Sequence, residues 1–240
     1  MYNKEIESYL ARTGFDTFDP QAVMFDMDGV LYNSMPNHAY SWKHSMETFG
    51  IHMTEADAYT YEGMRGVETI KLLMRQQKHV DVNDEEAQRM YDEKSRVFST
   101  RPRAHMMEGV KELMQKMKRQ GLTIVVVTGS GQHSLLEKLA HDFEGLVSPE
   151  RIVSSFDVEH GKPNPEPYLK GLAKAGVKPW QAVVVENAPL GVRAGVAAGV
   201  FTIGVNTGPL PNEALIREGA SIVFDSMPDL RDHWEEIHNI

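Results

Sequence analysis

The sequence predicts an α/β protein: a doubly wound, Rossmann-like parallel-sheet core with an inserted α-helical cap domain. Two observations predict it. From Gln21 onward, short apolar β-branched runs alternate with amphipathic segments, the βαβ pattern of a parallel sheet covered by helices. Residues 35–105 break that rhythm, holding no strand-like run and reading as successive helices. The expected division is therefore a core of residues 1–34 and 106–240 and a cap of residues 35–105.

In chain order, "NKEIESYLARTG" predicts a short amphipathic helix with Ile6, Tyr9 and Leu10 on one side, and "AVMFD" the first strand. In the cap, Trp42, Met46 and Phe49 share a helix face before Gly50, and Thr54 with Asp57 and Asn83 with Glu86 mark helix starts. Pro102 in "TRPRAHMMEG" marks the linker back to the core. The helix "EGVKELMQKMKRQG" closes at Gly121, "LTIVVVT" is a strand, and "SLLEKLAHDF" is a helix opened by Ser134 and Glu137. The strands "RIVSS" and "AVVVE", the helix "APLGVRAGVAAG" ending at Gly199, and the strands "FTIGV" and "SIVF" complete the core.

Composition narrows the function. A chain of 240 residues with 41% hydrophobic and 25% charged residues is long enough for one large domain with an insert. A net charge of −9 without a clustered basic face argues against nucleic-acid binding. No apolar run approaches a membrane span and the charged start lacks a signal-peptide core, so a cytoplasmic location is expected. With 0 cysteines there is no thiolate nucleophile, and covalent catalysis must use oxygen or nitrogen. The expected partner is a small phosphorylated substrate, with no nucleic acid and no membrane, for a monomer or weak homo-oligomer.

In open parallel sheets, ligands bind beyond the carboxyl ends of the strands. The first strand ends in Asp26 and Asp28, the second in Thr128, Gly129 and Ser130, and the fourth in Glu186 and Asn187; Lys162 follows the third. Residues two apart on a strand lie roughly 7 Å apart on one face, so both aspartates are expected to face one pocket. Three carboxylates and an amide oxygen form a hard oxygen site suited to Mg²⁺. At the strand end Asp26 is placed for in-line attack on phosphorus, giving an aspartyl-phosphate, and Asp28 for proton transfer. Thr128 and the backbone amides of "TGSGQ" are placed for phosphoryl oxygens, and Lys162 for transition-state charge. Each residue alone has a plainer reading: a solvated turn for the aspartates, helix caps for Thr128, Glu186 and Asn187, a loop charge for Lys162. Their shared place at strand ends outweighs these.

Together, "DMDGVLY", "VVVTGS", "HGKPNPEPY" and "VVVENAPLGVRAG" resemble the four signature motifs of the haloacid dehalogenase (HAD) superfamily hydrolases. More closely, they resemble its β-phosphoglucomutase-like branch, which includes inorganic pyrophosphatases. The resemblance implies Asp26 as nucleophile, Asp28 as general acid/base, Thr128 and Lys162 as phosphate contacts, and Glu186 with Asn187 as the distal metal end. Two departures stand out. Asn187 occupies the place of a second acid. In the cap, "YEGMRG" puts Glu62 where the mutases carry a lysine, and Gly66 where they carry an arginine. Glu62 is either a further metal ligand, which would favour a compact substrate such as inorganic pyrophosphate, or a solvated cap residue. Arg65, His38, Ser130 and Gly131 are further candidate substrate contacts.

The leading expectation is a Mg²⁺-dependent phosphohydrolase acting on inorganic pyrophosphate. The alternatives are a β-phosphoglucomutase and a non-enzymatic phospho-aspartate switch; the cap insert and Asp28 count against the switch, which needs neither water exclusion nor an acid/base.

Overall fold

A computed structural model describes residues 2–130 and 133–238, without the side chains of 133–136. Helix α1 (Asn3–Thr13) precedes β1 (Ala22–Phe25). Four helices follow: α2 (Met35–Thr48), α3 (Glu55–Thr60), α4 (Gly66–Lys78) and α5 (Asp84–Ser99). The chain then alternates: α6 (Val110–Arg119), β2 (Thr123–Val127), α7 (His133–Asp142), β3 (Ile152–Val153), α8 (Glu166–Ala175), β4 (Ala182–Glu186). It ends with α9 (Pro189–Ala197), β5 (Phe201–Val205), α10 (Asn212–Arg217), β6 (Ile222–Phe224) and α11 (Met227–His238).

The strands form one parallel sheet in the order β3-β2-β1-β4-β5-β6. Because strand side chains alternate between faces, each strand feeds two apolar layers. Val23, Phe25, Ile124, Val126, Val183 and Val185 pack with α1, α6, α7 and α11, where Tyr9, Met114, Leu139 and Trp234 are buried. Met24, Val125, Val127 and Val184 pack against Tyr168 and Leu172 of α8 and Ala194 of α9. Such a sheet, covered on both faces, explains why its strands read as continuous Val/Ile runs.

Residues 35–99 carry an apolar cluster of their own, centred on Trp42, Met46, Ile70, Leu73, Ala87 and Met90. The expected helix starts are present: Thr54 and Asp57 form a reciprocal capping box, and Asn83 accepts the Glu86 amide. Two details differ. Phe49 caps α2 as a partly exposed residue outside that cluster. Helix α7 begins at His133, ahead of the expected Ser134 start, and the Ser134 side chain lies outside the described residues. No described helix is long and apolar enough to cross a membrane.

Candidate active site

Sheet register sets the floor of the site. Phe25 pairs with Val126 and with Val185, so Asp26, one step farther, lies level with Val127 and Glu186. Its backbone N–H continues the ladder to the Val185 carbonyl at 3.0 Å. Alternation turns Asp26 and Glu186 towards the face covered by α8. From that side Lys162, 1% exposed, reaches both: its ammonium is hydrogen-bonded to Asp26 Oδ1, to Glu186 Oε1 at 2.6 Å and to the Val127 carbonyl at 3.1 Å.

Glu186 is held from every direction. Tyr168 donates its hydroxyl to Oε1 at 2.8 Å, and the backbone N–H groups of Asn187 and Ala188 donate to Oε2 at 3.0 Å each. With Lys162, that makes two donors on each oxygen, about the full acceptor capacity of a carboxylate. Gly191 packs so closely that a Cβ there would sit 1.8 Å from Oε1. In this arrangement Glu186 positions Lys162 and the turn into α9.

Asn187 faces the opposite way. Its Nδ2 donates to both oxygens of Glu62 at 3.1 Å, bridging core and cap, while its Oδ1 is buried without a partner. Gly29, at φ +83°, makes room for it, since a Cβ there would lie 2.1 Å from Nδ2. Glu62 is thus not a solvated cap residue. Burial pushes its pKa well above the usual carboxylate range, and repulsion from Asp26 and Glu186 adds to the rise. Burial likewise raises Asp26, against the pull of Lys162.

These observations test the fit of a cation. Asp26 and Glu186 share one ammonium, Glu62 stands close enough to be repelled by both, and the buried Asn187 Oδ1 has no partner. The donors are all oxygen, matching a hard divalent ion. Among the described residues no three His, Asp or Glu side chains form a cage alone. Asn187 Oδ1 and substrate oxygens are needed to complete a shell, and Asp26, Glu62 and Asn187 fit that role.

Asp28 lies on the hinge side. Its Oδ1 accepts from the Ser34 hydroxyl at 2.6 Å and stands 3.2 Å from His38 Nε2. His38 Nδ1 is in turn 2.8 Å from Lys94 Nζ. An ammonium has only donors, so Nδ1 accepts and Nε2 carries the proton towards Asp28. Burial opposes ionisation of Asp28, yet His38 and Ser34 hold its pKa down to about 2. Burial and the Lys94 charge push His38 below its usual range, so it meets Asp28 as a neutral donor. Asp28 Oδ1 is thereby engaged with the hinge, and its expected place as a metal ligand has no support from that oxygen. Lys94, absent from the sequence expectations, is 1% exposed, enclosed by Trp42, Tyr91 and Phe98, with its pKa lowered to about 8 mainly by burial.

The remaining candidates divide. Gly129, Ser130 and His38 line a cavity of about 60 Å³ with Asp26, Asp28 and Glu62. Thr128 is buried beside it and accepts the Ser130 N–H at 3.0 Å. Arg65 does not line it: its guanidinium donates to the Glu159 carbonyl and its chain covers Gly161. Arg65 here ties the segment before α4 to the loop of Glu159 and Gly161. Gly131 lies outside the described residues.

The likeness to known proteins extends over most of the chain. Residues 23–205 match the family model described as haloacid dehalogenase-like hydrolase. A phosphorylated carbohydrates phosphatase of Thermotoga maritima is 32% identical over 202 residues, covering 83% of this chain and 92% of the relative. A β-phosphoglucomutase of Bacillus subtilis is 25% identical over 226 residues, 90% of this chain and 96% of the relative. A solved structure from Bacteroides vulgatus, provisionally named a β-phosphoglucomutase, superposes with a TM-score of 0.95 at 47% identity, covering 99% of this chain and 97% of that one. The chain is an enzyme of the phosphatase or phosphotransferase kind, and it belongs to the haloacid dehalogenase-like hydrolase family.

Proposed function

We propose that this enzyme is a Mg²⁺-dependent phosphohydrolase that cleaves inorganic pyrophosphate through an aspartyl-phosphate on Asp26, with residues 35–105 closing as a cap. The observation that carries the reading is Glu62. Its carboxylate sits on Asn187 at 3.1 Å, over a cavity of about 60 Å³. That volume is far below the roughly 300 Å³ or more of ordinary small-molecule pockets. A second anionic group on a bulky substrate would meet a carboxylate at the cap position where mutases carry a lysine.

Lys162 holds Asp26 Oδ1, which leaves Oδ2 for in-line attack on the nearer phosphorus. The bridging P–O bond breaks and the departing phosphate takes the electron pair. Phosphate is a weakly basic leaving group, so this step does not need an acid as strongly as release of a sugar alcohol does. Asp28, held ionised by Ser34 and His38, then accepts a proton from water, whose oxygen attacks the aspartyl phosphorus. The aspartyl C(O)O–P bond breaks between oxygen and phosphorus, restoring the Asp26 carboxylate, and the second phosphate leaves. Asp26, Glu62 and Asn187 would hold Mg²⁺, which when bound would supply neutralisation of phosphoryl charge. Thr128, Gly129 and Ser130 receive the transferring phosphoryl oxygens.

The second reading, a sugar-phosphate phosphatase or β-phosphoglucomutase, is favoured by the names of the relatives above. Phosphate release and isomerisation measured on pyrophosphate, β-glucose 1-phosphate and hexitol phosphates with Mg²⁺ separate the two. Pyrophosphate is expected to give the highest kcat/KM, and sugar isomerisation faster than phosphate release from pyrophosphate would overturn the proposal.

A further inference from the structure

A cavity of about 680 Å³ lies on the hinge side of Asp28, which lines both it and the catalytic cavity. Both linkers between core and cap border it. They are tied together: the Asn33 N–H donates to the His105 carbonyl at 3.0 Å, and Asn37 Nδ2 donates to the Pro102 carbonyl at 2.8 Å. Its third wall is α7 of the core, which contributes Lys138. An occupant would therefore touch the chain that moves with the cap and a helix that does not.

The lining has two characters. Met27, Tyr32, Phe98 and Pro102 supply apolar surface, while Arg101, Arg103 and Lys138 supply charge. Lys138 and the Tyr32 hydroxyl are satisfied by Asp142 Oδ2. The arginines are not so placed. Among the described residues neither has a carboxylate partner, and the Nε of Arg101 is buried without any acceptor. The Arg101 guanidinium stacks 3.9 Å above the Tyr40 ring, which fixes its plane. A fixed, planar donor group lacking an acceptor suits an oxyanion. Three carboxylates oppose it: Asp28, engaged by Ser34 and His38, Asp142, engaged by Tyr32 and Lys138, and Glu137, exposed at the rim.

We propose that the hinge cavity binds an organic anion, a phosphate- or phosphonate-bearing group on Arg101 and Arg103 with an apolar or aromatic body against Phe98 and Tyr32. Such a ligand bridges linker and α7 and biases the cap position. The arginines that define this site lie outside the lining of the catalytic cavity, and the two cavities meet at Asp28.

Calorimetric titration of the intact protein with phenylphosphonate tests it, with binding itself as the readout. Two classes of site are expected, one catalytic and one at the hinge. Arg101→Met/Arg103→Ala is expected to weaken the hinge class at least about tenfold, while turnover without phenylphosphonate stays within about twofold. Arg103→Ala alone, at an exposed position that does not burden folding, is expected to weaken the same class at least about threefold. Inorganic phosphate distinguishes a free anion from an organic one and is expected to bind the hinge class at least about tenfold more weakly than phenylphosphonate. Unchanged phenylphosphonate binding in Arg103→Ala and in the double variant, or phosphate binding the arginine-dependent class as tightly, would overturn the proposal.

Discussion

On the core side of the crevice, Glu186 accepts from four donors and Lys162 spans two carboxylates and a carbonyl. On the cap side, Glu62 meets one amide, and that contact crosses from cap to core. The core site is over-determined: each group is fixed by partners from the strand ends, the turn after β4, the Lys162 loop or α8. The cap site depends on where the cap stands. Rigid placement serves the in-line chemistry common to phosphoryl transfer, while on the proposed reading a single cap carboxylate chooses what enters. Changes on the core side should therefore cost every substrate alike, and changes on the cap side should discriminate among them.

Asp26→Asn should give the largest effect, a fall of about 10⁴-fold or more in phosphate release from every substrate, read by steady-state kinetics. Activity retained within tenfold would break the comparison at its core. Asp28→Asn should lower turnover by about 10²- to 10⁴-fold, since water loses its base. In a burst experiment it should accumulate phosphorylated Asp26. Tyr168→Phe should act on Glu186 rather than on substrate, lowering kcat for all substrates by roughly tenfold, with their ratios unchanged.

Lys94→Met should move stability more than specificity. The Lys94 pKa falls from 10.5 to about 8, chiefly through burial. Between those values the unfolded chain holds a proton that the folded chain has released. Lys94 therefore makes stability rise as pH climbs from about 8 to 10.5, and below that window its buried charge counts against folding. The variant should gain up to roughly 3 kcal/mol at pH 7, and its denaturation midpoint should lose that alkaline rise. A midpoint unchanged at both pH 7 and pH 10 would contradict a buried, charged Lys94.

Legibility in the sequence followed the same division. The strands and Asp26, Asp28, Lys162, Glu186 and Asn187 were readable because a parallel sheet brings its strand ends to one edge. What each carboxylate binds was not. Saturation of Glu186 depends on Tyr168, whose apolar spacing with Leu172 on α8 reads as core. Lys94 left a fainter signal: it falls at helical spacing with Ala87, Tyr91 and Phe98, a charge on an otherwise apolar face. Glu62 and Asn187 lie 125 residues apart, so only the packing of cap on core joins them. The Arg65 partner, a backbone carbonyl 94 residues away, left no mark in the sequence, where a cationic cap residue near phosphate chemistry suggests substrate.

The central claim is that Glu62 selects the compact substrate, and Glu62→Ala tests it most directly through the ratio of kcat/KM for pyrophosphate to that for β-glucose 1-phosphate, both with saturating Mg²⁺. Loss of a metal-bridging carboxylate should lower pyrophosphate turnover by about 10- to 100-fold and leave the sugar phosphate unchanged or faster, so the ratio falls at least about tenfold. A ratio unchanged within twofold would contradict the account.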